Sequence, residues 1–333
     1  MTGDRVNRRA FITLLGGAVA AWPLAARAQQ QAMPVIGFLN GGAREANASN
    51  LAEFHKGLGE TGYVEGRNVT LEYQWVEGRY DALPVLTADL VRRRVAVIVT
   101  PGFPLAARAA RDATSAIPIV FGIGEDPVKL GLVESLNRPG GNATGINFFS
   151  GELMTKRLGL LRELLPRATR VALLVNPADS VRTEYVLSEV QAAAQILALR
   201  IDVRKASTIQ EINAAFTAFG RDRADALLLG PDGFFNNRRV QVANLTARHA
   251  FPTMFASRNY VEVGGLMSYG TDLGVMFRQV GVYAGRILKG TKPAELPVLQ
   301  STKFELVINI QTARMLDLEI PPTLLARADE VIE

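Results

Sequence analysis

The chain has 333 residues, 48% of them hydrophobic and 21% charged, with 30 glycines and 16 prolines spread along its length. That is too apolar for disorder and enough material for two ordinary domains. It has no cysteine, which excludes disulfides, thiolate metal sites and a lipid-anchored amino terminus, and its formal charge of +5 falls to +2 without residues 1–28, so no basic surface calls for nucleic acid.

The first segment is unlike the rest. In "NRRAFITLLGGAVAAWPLAARAQQ", Arg8 and Arg9 precede an uncharged run from Ala10 to Ala26, broken by Pro23, and Ala26-Arg27-Ala28 offers a small-x-small cleavage site. A basic start, a short apolar core and Ala-x-Ala predict a cleaved secretory signal peptide over 1–28 and a periplasmic location. With two glycines and a proline, the run is a poor permanent membrane span. Arg8-Arg9 followed by Phe11 resembles the twin-arginine export signal; the general secretory route stays open beside it.

From Met33 the pattern alternates. "VIGFLN", "NVTLEYQWV", "VAVIVT" and "PIVFGI" read as strands, separated by the helical patterns "NLAEFHKGLGETG", "YDALPVLTADLVRRR" and "PLAARAARDATS". Such alternation predicts parallel βαβ units with helices on both faces. After the helix "LMTKRLGLLRELLP" the order repeats with "RVALLVNP", "RIDVRKAS", "ALLLGP", "PTMFAS" and "GGLMSYG". Landmarks recur at a near-constant interval: Asn40 and Asn176 end the first strands 136 residues apart, and Pro118 and Pro252 open the fourth strands 134 apart. Two similar α/β lobes are therefore expected.

In open parallel sheets ligands bind beyond the carboxyl ends of the strands, so two sheets facing each other enclose one cleft. Glu125 and Asp126 emerge there from the buried run "VFGIGEDPV", opposite "MFASRNYV" with its Ser257, Arg258 and Tyr260. The acids are expected to face a cation of the other lobe or a ligand. For Asp126, just before Pro127, capping a helix over "PVKLGLVESL" is an equal alternative. Catalytic motifs are missing: no Gly-x-Ser-x-Gly elbow, no phosphate loop, and two histidines, His55 and His249, far apart in helical patterns. No catalytic residue, cofactor or metal is expected.

The ordered motifs "IPIVFGIGEDPVKLGLVESLNRPGGNATG", "GGLMSYG" before a helix ending "ILKGTKPAELPV", and "FELVINIQTARMLDLEIP" resemble the tryptophan/tyrosine-type ABC-transporter substrate-binding proteins. The resemblance runs from about Met33 to the carboxyl terminus. It implies the type I periplasmic binding protein fold, an α/β pair of Rossmann-like lobes with parallel sheets joined by a three-segment hinge. It also implies a non-enzymatic receptor that closes on a small-molecule solute and delivers it to ABC permease subunits; a monomer is expected, with a weak dimer left open. The crossings are placed near Gly145–Phe148, near Gly270–Asp272 and around Lys292–Pro297, so that 33–146 plus 271–295 form the first lobe and 147–270 plus 296–333 the second. Gly145 and Gly270 are the expected hinge glycines.

For an amino-acid-like ligand, aromatic ones included, or a related carboxylate, the first-lobe loops with Asn40, Gly41, Gly42, Thr100, Gly102, Phe103 and Gly124 are expected to hold the carboxylate. Asp232 is expected at the ammonium group, with a plain turn role in "GPDG" as its equal alternative. Phe103, Phe234 and Phe235 lie at strand mouths as stacking candidates. Asp126, Asn176, Ser180, Asn236, Ser257 and Tyr269 complete the expected rim. A periplasmic sensory module of the same fold and, behind it, a periplasmic enzyme are the competing readings.

Overall fold

The computed structural model describes residues 33–148, 150–301 and 303–333, without the side chains of residues 150–152. The expected signal peptide lies outside the described residues. The first lobe opens with β1 (Val35–Asn40), α1 (Ala48–Glu60), β2 (Thr70–Trp75), α2 (Leu83–Arg92), β3 (Val97–Pro101), α3 (Pro104–Ala113), β4 (Ile119–Ile123) and β5 (Ala143–Asn147). Every residue of β3, β4 and β5 is buried, which is why β3 and β4 read as near-continuous apolar runs rather than alternations.

The second lobe follows with α4 (Ser150–Leu164), β6 (Arg170–Val175), α5 (Ser180–Leu197), β7 (Arg200–Lys205), α6 (Ile209–Arg221), β8 (Ala226–Leu229), α7 (Gly233–Asn237), α8 (Arg239–Arg248), β9 (Thr253–Phe255), α9 (Arg258–Val261) and β10 (Met267–Thr271). The chain then returns through α10 (Leu273–Leu288) and β11 (Leu299–Gln300) before β12 (Phe304–Asn309), α11 (Ile310–Met315), α12 (Pro322–Leu325) and β13 (Glu330–Ile332). Local chemistry fixes these boundaries. Asp179 and Asp272 cap α5 and α10 through their carboxylates, and Thr208 with Glu211 forms a full capping box on α6.

Among the described residues, the first sheet has the order β11-β5-β4-β3-β1-β2 and the second β13-β12-β10-β9-β8-β6-β7. Each sheet is sandwiched between two apolar clusters. One first-lobe face packs Phe38, Phe54, Phe277 and Val280, and the other Ile98, Ala107, Phe121 and Leu132. In the second lobe the faces are built around Leu158, Leu173 and Met267, and around Phe216, Leu227 and Phe255. The duplicated α/β architecture is therefore present, with its cores flanking the two sheets.

Three details differ from the sequence expectation. First, the second sheet is not wholly parallel, because β12 runs antiparallel to β10. β10 leaves that lobe at the carboxyl edge of the sheet, and the chain comes back over the same edge, so the returning strand has to run the other way. Second, the last crossing falls after Gln300 rather than at Lys292–Pro297, since Leu299–Gln300 extends the first sheet beside β5. Third, "PVKLGLVESL" forms turns instead of a helix. Leu132 N–H and Val133 N–H both bond to the Pro127 carbonyl, and Gly131, at φ +68°, reverses the chain after one turn. The expected hinge glycines, Gly145 and Gly270, lie inside β5 and β10 with ordinary φ. A Cβ on either would stand 2.0 Å from a carbonyl oxygen, that of Phe121 or of Ala256, so close backbone packing excludes a side chain there.

Candidate ligand-binding site

Parallel register brings the strand ends of each lobe to one edge. Asn40 pairs with Trp75, Pro101 with Gly122 and Ile123 with Asn147, while Leu174 pairs with Leu229. The loops beyond these ends face each other across a cavity whose walls come from both lobes. The first lobe contributes Asn40, Gly41, Gly42, Asn47, Gly102, Phe103, Glu125 and Phe148, with Leu273 and Phe277 from the return segment. The second contributes Leu153, Arg157, Arg182, Leu229, Gly230, Pro231, Asp232, Gly233, Asn236, Ala256, Ser257, Tyr260 and Thr271 of β10. About 120 Å³ is open to the centre of a water-sized sphere, several times what one water requires.

The lobes touch around this cavity. Arg182, in the first turn of α5, donates from Nε to Glu125 Oε1 at 3.1 Å and from an Nη to the Gly102 carbonyl at 2.9 Å. Tyr80 of the first lobe donates its hydroxyl to Asp232 Oδ2 at 3.0 Å, and Ala43 N–H bonds to Asn237 Oδ1 at 2.8 Å. The backbones close in as well: a Cβ on Gly233 would lie 3.1 Å from the Gly41 carbonyl carbon. The cation facing Glu125 is thus Arg182 and not Arg258, which is drawn away by Glu262, Glu305 and Glu330 of its own lobe.

Arg182 sits among three acids. Burial works against its charge, but Glu125, Asp179 and Asp232 more than offset this and hold its pKa above the ordinary arginine value. Asp179 pays for the crowding: burial, with Asp232 and Glu125 adding to it and Arg182 opposing, pushes its pKa up to about 7. Asp232 is raised too, mainly by burial, against the bond from Asn176 and the charge of Arg182. Burial, then Asp232 and Asp179, also raises Tyr80, so its hydroxyl stays protonated and donates.

Of the residues expected from sequence, Asn40, Gly41, Gly42, Gly102, Phe103, Asp232, Asn236 and Ser257 line the cavity. Asn40 spans its own turn, donating to the Pro101 carbonyl and accepting from Gly42 N–H. Asp232 takes the turn role: it caps α7, with Oδ1 accepting from Phe234 N–H, Phe235 N–H and Asn176 Nδ2, while Oδ2 accepts from Tyr80. Both of its oxygens are engaged before any ammonium arrives.

The remaining expected residues do not line it. Thr100 is buried within β3, its hydroxyl without a partner. Gly124 donates its N–H to Glu125 Oε2. Asp126 holds the Val128 and Lys129 N–H groups of the turn that replaces the expected helix. Asn176 serves Asp232 and the Ala178 N–H, and Ser180 is exposed at the start of α5. Phe234 and Phe235 belong to the second-lobe core, with the Arg238 guanidinium 3.8 Å above the Phe234 ring. Tyr269 packs beside Phe304 and presents its carbonyl, not its ring, to Arg157. Neither histidine approaches the cavity: His55 contacts Tyr73, and His249 stacks on Phe251.

Sequence reasoning missed Tyr80, Arg157, Asp179 and Arg182. Arg157 is 2% exposed. Its Nε donates to the Tyr269 carbonyl at 2.6 Å and one Nη lies 3.7 Å from Met154 Sδ, with no carboxylate in ion-pair reach among the described residues. Burial lowers its pKa to about 9. A signal existed: Leu153, Met154, Arg157, Leu158 and Leu161 form the buried stripe of α4, and Arg157 is the charged member of that helical repeat.

Known proteins resemble this chain. A tyrosine-binding protein of Clostridioides difficile (strain R20291) is 26% identical over 266 residues, 80% of this chain and 76% of that protein. The crystal structure of an ABC domain in complex with L-Trp from Streptococcus pneumonia superposes with a TM-score of 0.80 at 26% identity, over 90% of this chain and 99% of that one. A ligand-free, open substrate-binding protein with adhesive properties from Clostridium difficile superposes with a TM-score of 0.63 at 22% identity over 90% and 99%, a likeness of fold. The sequence profile described as ABC transporter substrate binding protein matches residues 33–332. The chain belongs to the ABC transporter substrate-binding proteins, a family of binding proteins and not of enzymes.

Proposed function

We propose that the protein is the solute receptor of an ABC importer, exported to the periplasm, and that it delivers a small amino-acid-like or related carboxylate ligand to a membrane permease. The observation that carries this reading is the cavity enclosed by loops of both lobes. A ligand that touches both walls favours the closed arrangement over an open one, which is how binding becomes a signal to a permease. Phe103, Phe148, Tyr260 and Phe277 give the wall an aromatic character, in keeping with the ligands named for the tyrosine-binding relative and the L-Trp complex. Among the described residues no helix is long and apolar enough to cross a membrane.

A ligand of about 12 heavy atoms gaining roughly 0.7 kcal/mol per atom binds near −8 kcal/mol, around micromolar, without a covalent step. Thermal-shift screening of the protein against amino acids, aromatic acids, nucleosides, sugars and metal ions tests the reading. At a hundredfold excess over Kd, a true ligand adds about 2.7 kcal/mol of stability. A response confined to sugars or metal ions overturns the ligand class. Mass spectrometry of the exported protein, expected to begin after Ala28, tests the location.

A further inference from the structure

We infer that Arg157 is the anion anchor of the cavity, taking the carboxylate of the bound solute on the second-lobe wall rather than in the first-lobe loops. The inference rests on the receptor reading above and narrows it to ligands carrying a free acid group.

Among the described residues four charged side chains line the cavity: Glu125, Arg157, Arg182 and Asp232. Glu125 and Arg182 hold each other across the lobes, and Arg182 also holds the Gly102 carbonyl. Asp232 is saturated by its cap, by Asn176 and by Tyr80. Among the described residues, Arg157 alone of the four keeps guanidinium N–H groups without an acceptor of comparable strength, since Nε has a carbonyl and one Nη a thioether. A buried cation with no counter-ion is costly, and one that lines a cavity is relieved by an anion entering it. The guanidinium is held in place ahead of time: it packs over Gly270, where its other Nη would lie 3.4 Å from a Cβ. A planar fork so fixed suits a carboxylate bound through two parallel N–H···O bonds.

A second observation falls in the same cavity. Thr271 lines it, is 6% exposed, and its Oγ1 is buried without a hydrogen-bond partner. A native buried hydroxyl left without a partner calls for one, and a ligand oxygen or ammonium supplies it. The first-lobe loop at Gly102 is a poor rival for the anion, because its carbonyl, already engaged by Arg182, faces the cleft.

The test is calorimetric titration of the full-length exported protein with L-tyrosine, L-tryptophan and 3-phenylpropionate, each beside its primary amide. At least one acid is expected to bind, its amide at least about a hundredfold more weakly, the scale for removing one member of a buried charged pair. Arg157→Gln is expected to erase the preference for acid over amide. Arg157→Lys keeps a point charge without the fork and is expected to weaken the acid about tenfold while retaining the preference. It also serves as the working variant if the glutamine form does not fold. If the amide binds as well as the acid, or either variant binds the acid with undiminished affinity, the anchor is overturned and the receptor reading survives. If the unaltered protein binds none of the six compounds, both fall.

Discussion

Asp179→Asn is the change for which the structure gives the most definite pH signature. Asp179 is 1% exposed; its Oδ1 accepts the Arg182 N–H at the start of α5, and its Oδ2 is buried without a hydrogen-bond partner, 4.0 Å from Arg182 Nε. Asparagine caps a helix as well as aspartate, so the substitution keeps the cap and deletes the charge. The folded-state pKa lies at about 7 against an ordinary 3.8, raised chiefly by burial. Between those values the folded chain holds a proton that the unfolded chain has released, so this group makes stability fall as pH rises, and the loss is complete above about pH 7. At 1.36 kcal/mol for each pH unit of difference, the ceiling is about 4 kcal/mol. Urea unfolding of the ligand-free protein at pH 5.0 and pH 8.5 reads it out. The variant is expected to exceed the parent by roughly 4 kcal/mol at the higher pH and by no more than about 1.5 at the lower. Parallel pH dependences, or a variant less stable at pH 8.5, would show that attraction to Arg182 outweighs burial and refute the reasoning.

Two further outcomes follow from the contacts across the cleft and from the strand packing. Glu125→Gln removes the nearest anion from a buried guanidinium and is expected to cost the closed arrangement about 3–5 kcal/mol. Small-angle scattering of the ligand-free protein should then give a larger radius of gyration, and an unchanged radius would deny the pair its role in closure. Gly270→Ala places a Cβ 2.0 Å from the Ala256 carbonyl oxygen and crowds Arg157, with an expected loss of about 1–3 kcal/mol in chemical denaturation. A neutral result there would mean that β10 shifts freely, contrary to its burial between β9 and β12.

The lobes were legible because their strands are short β-branched runs covered on both faces, and because the intervals between Asn40 and Asn176 and between Pro118 and Pro252 are nearly equal. The return strands were not. β11 has two residues, both exposed, so it carries no apolar pattern, and the direction of β12 depends on where the chain crosses, which no local period encodes. In the site, the loops after β1 and β3 were readable from strand ends alone, whereas the orientation of individual side chains was not. Phe234 looked like an exposed stacking residue, but two positions after a cap its ring turns back into the second-lobe core. Arg182 left a weak trace: a cation in the first turn of a helix opposes the helix dipole, a cost that a carboxylate must offset. Three carboxylates gather around it, contributed by both lobes, and only folding brings them together.

The acids at the mouth of the first sheet are engaged within the protein, Glu125 by Arg182 and Asp126 by the N–H groups of its turn. Among the described residues the four charges lining the cavity cancel in number, yet they are unevenly distributed. Around Arg182, Glu125, Asp179 and Asp232 place three carboxylates against one guanidinium, an excess that the raised pKa of Asp179 partly relieves by retaining a proton. Around Arg157 the imbalance is reversed, a cation without an anion among the described residues. A ligand with a free carboxylate presents the complement of that cation. A ligand with a lone positive charge meets an unrelieved cation at Arg157, and a neutral sugar leaves that cation buried and unpaired. On the proposal made above, selectivity for acids comes from the cation at Arg157, and closure from the separate clasp of Glu125 and Arg182.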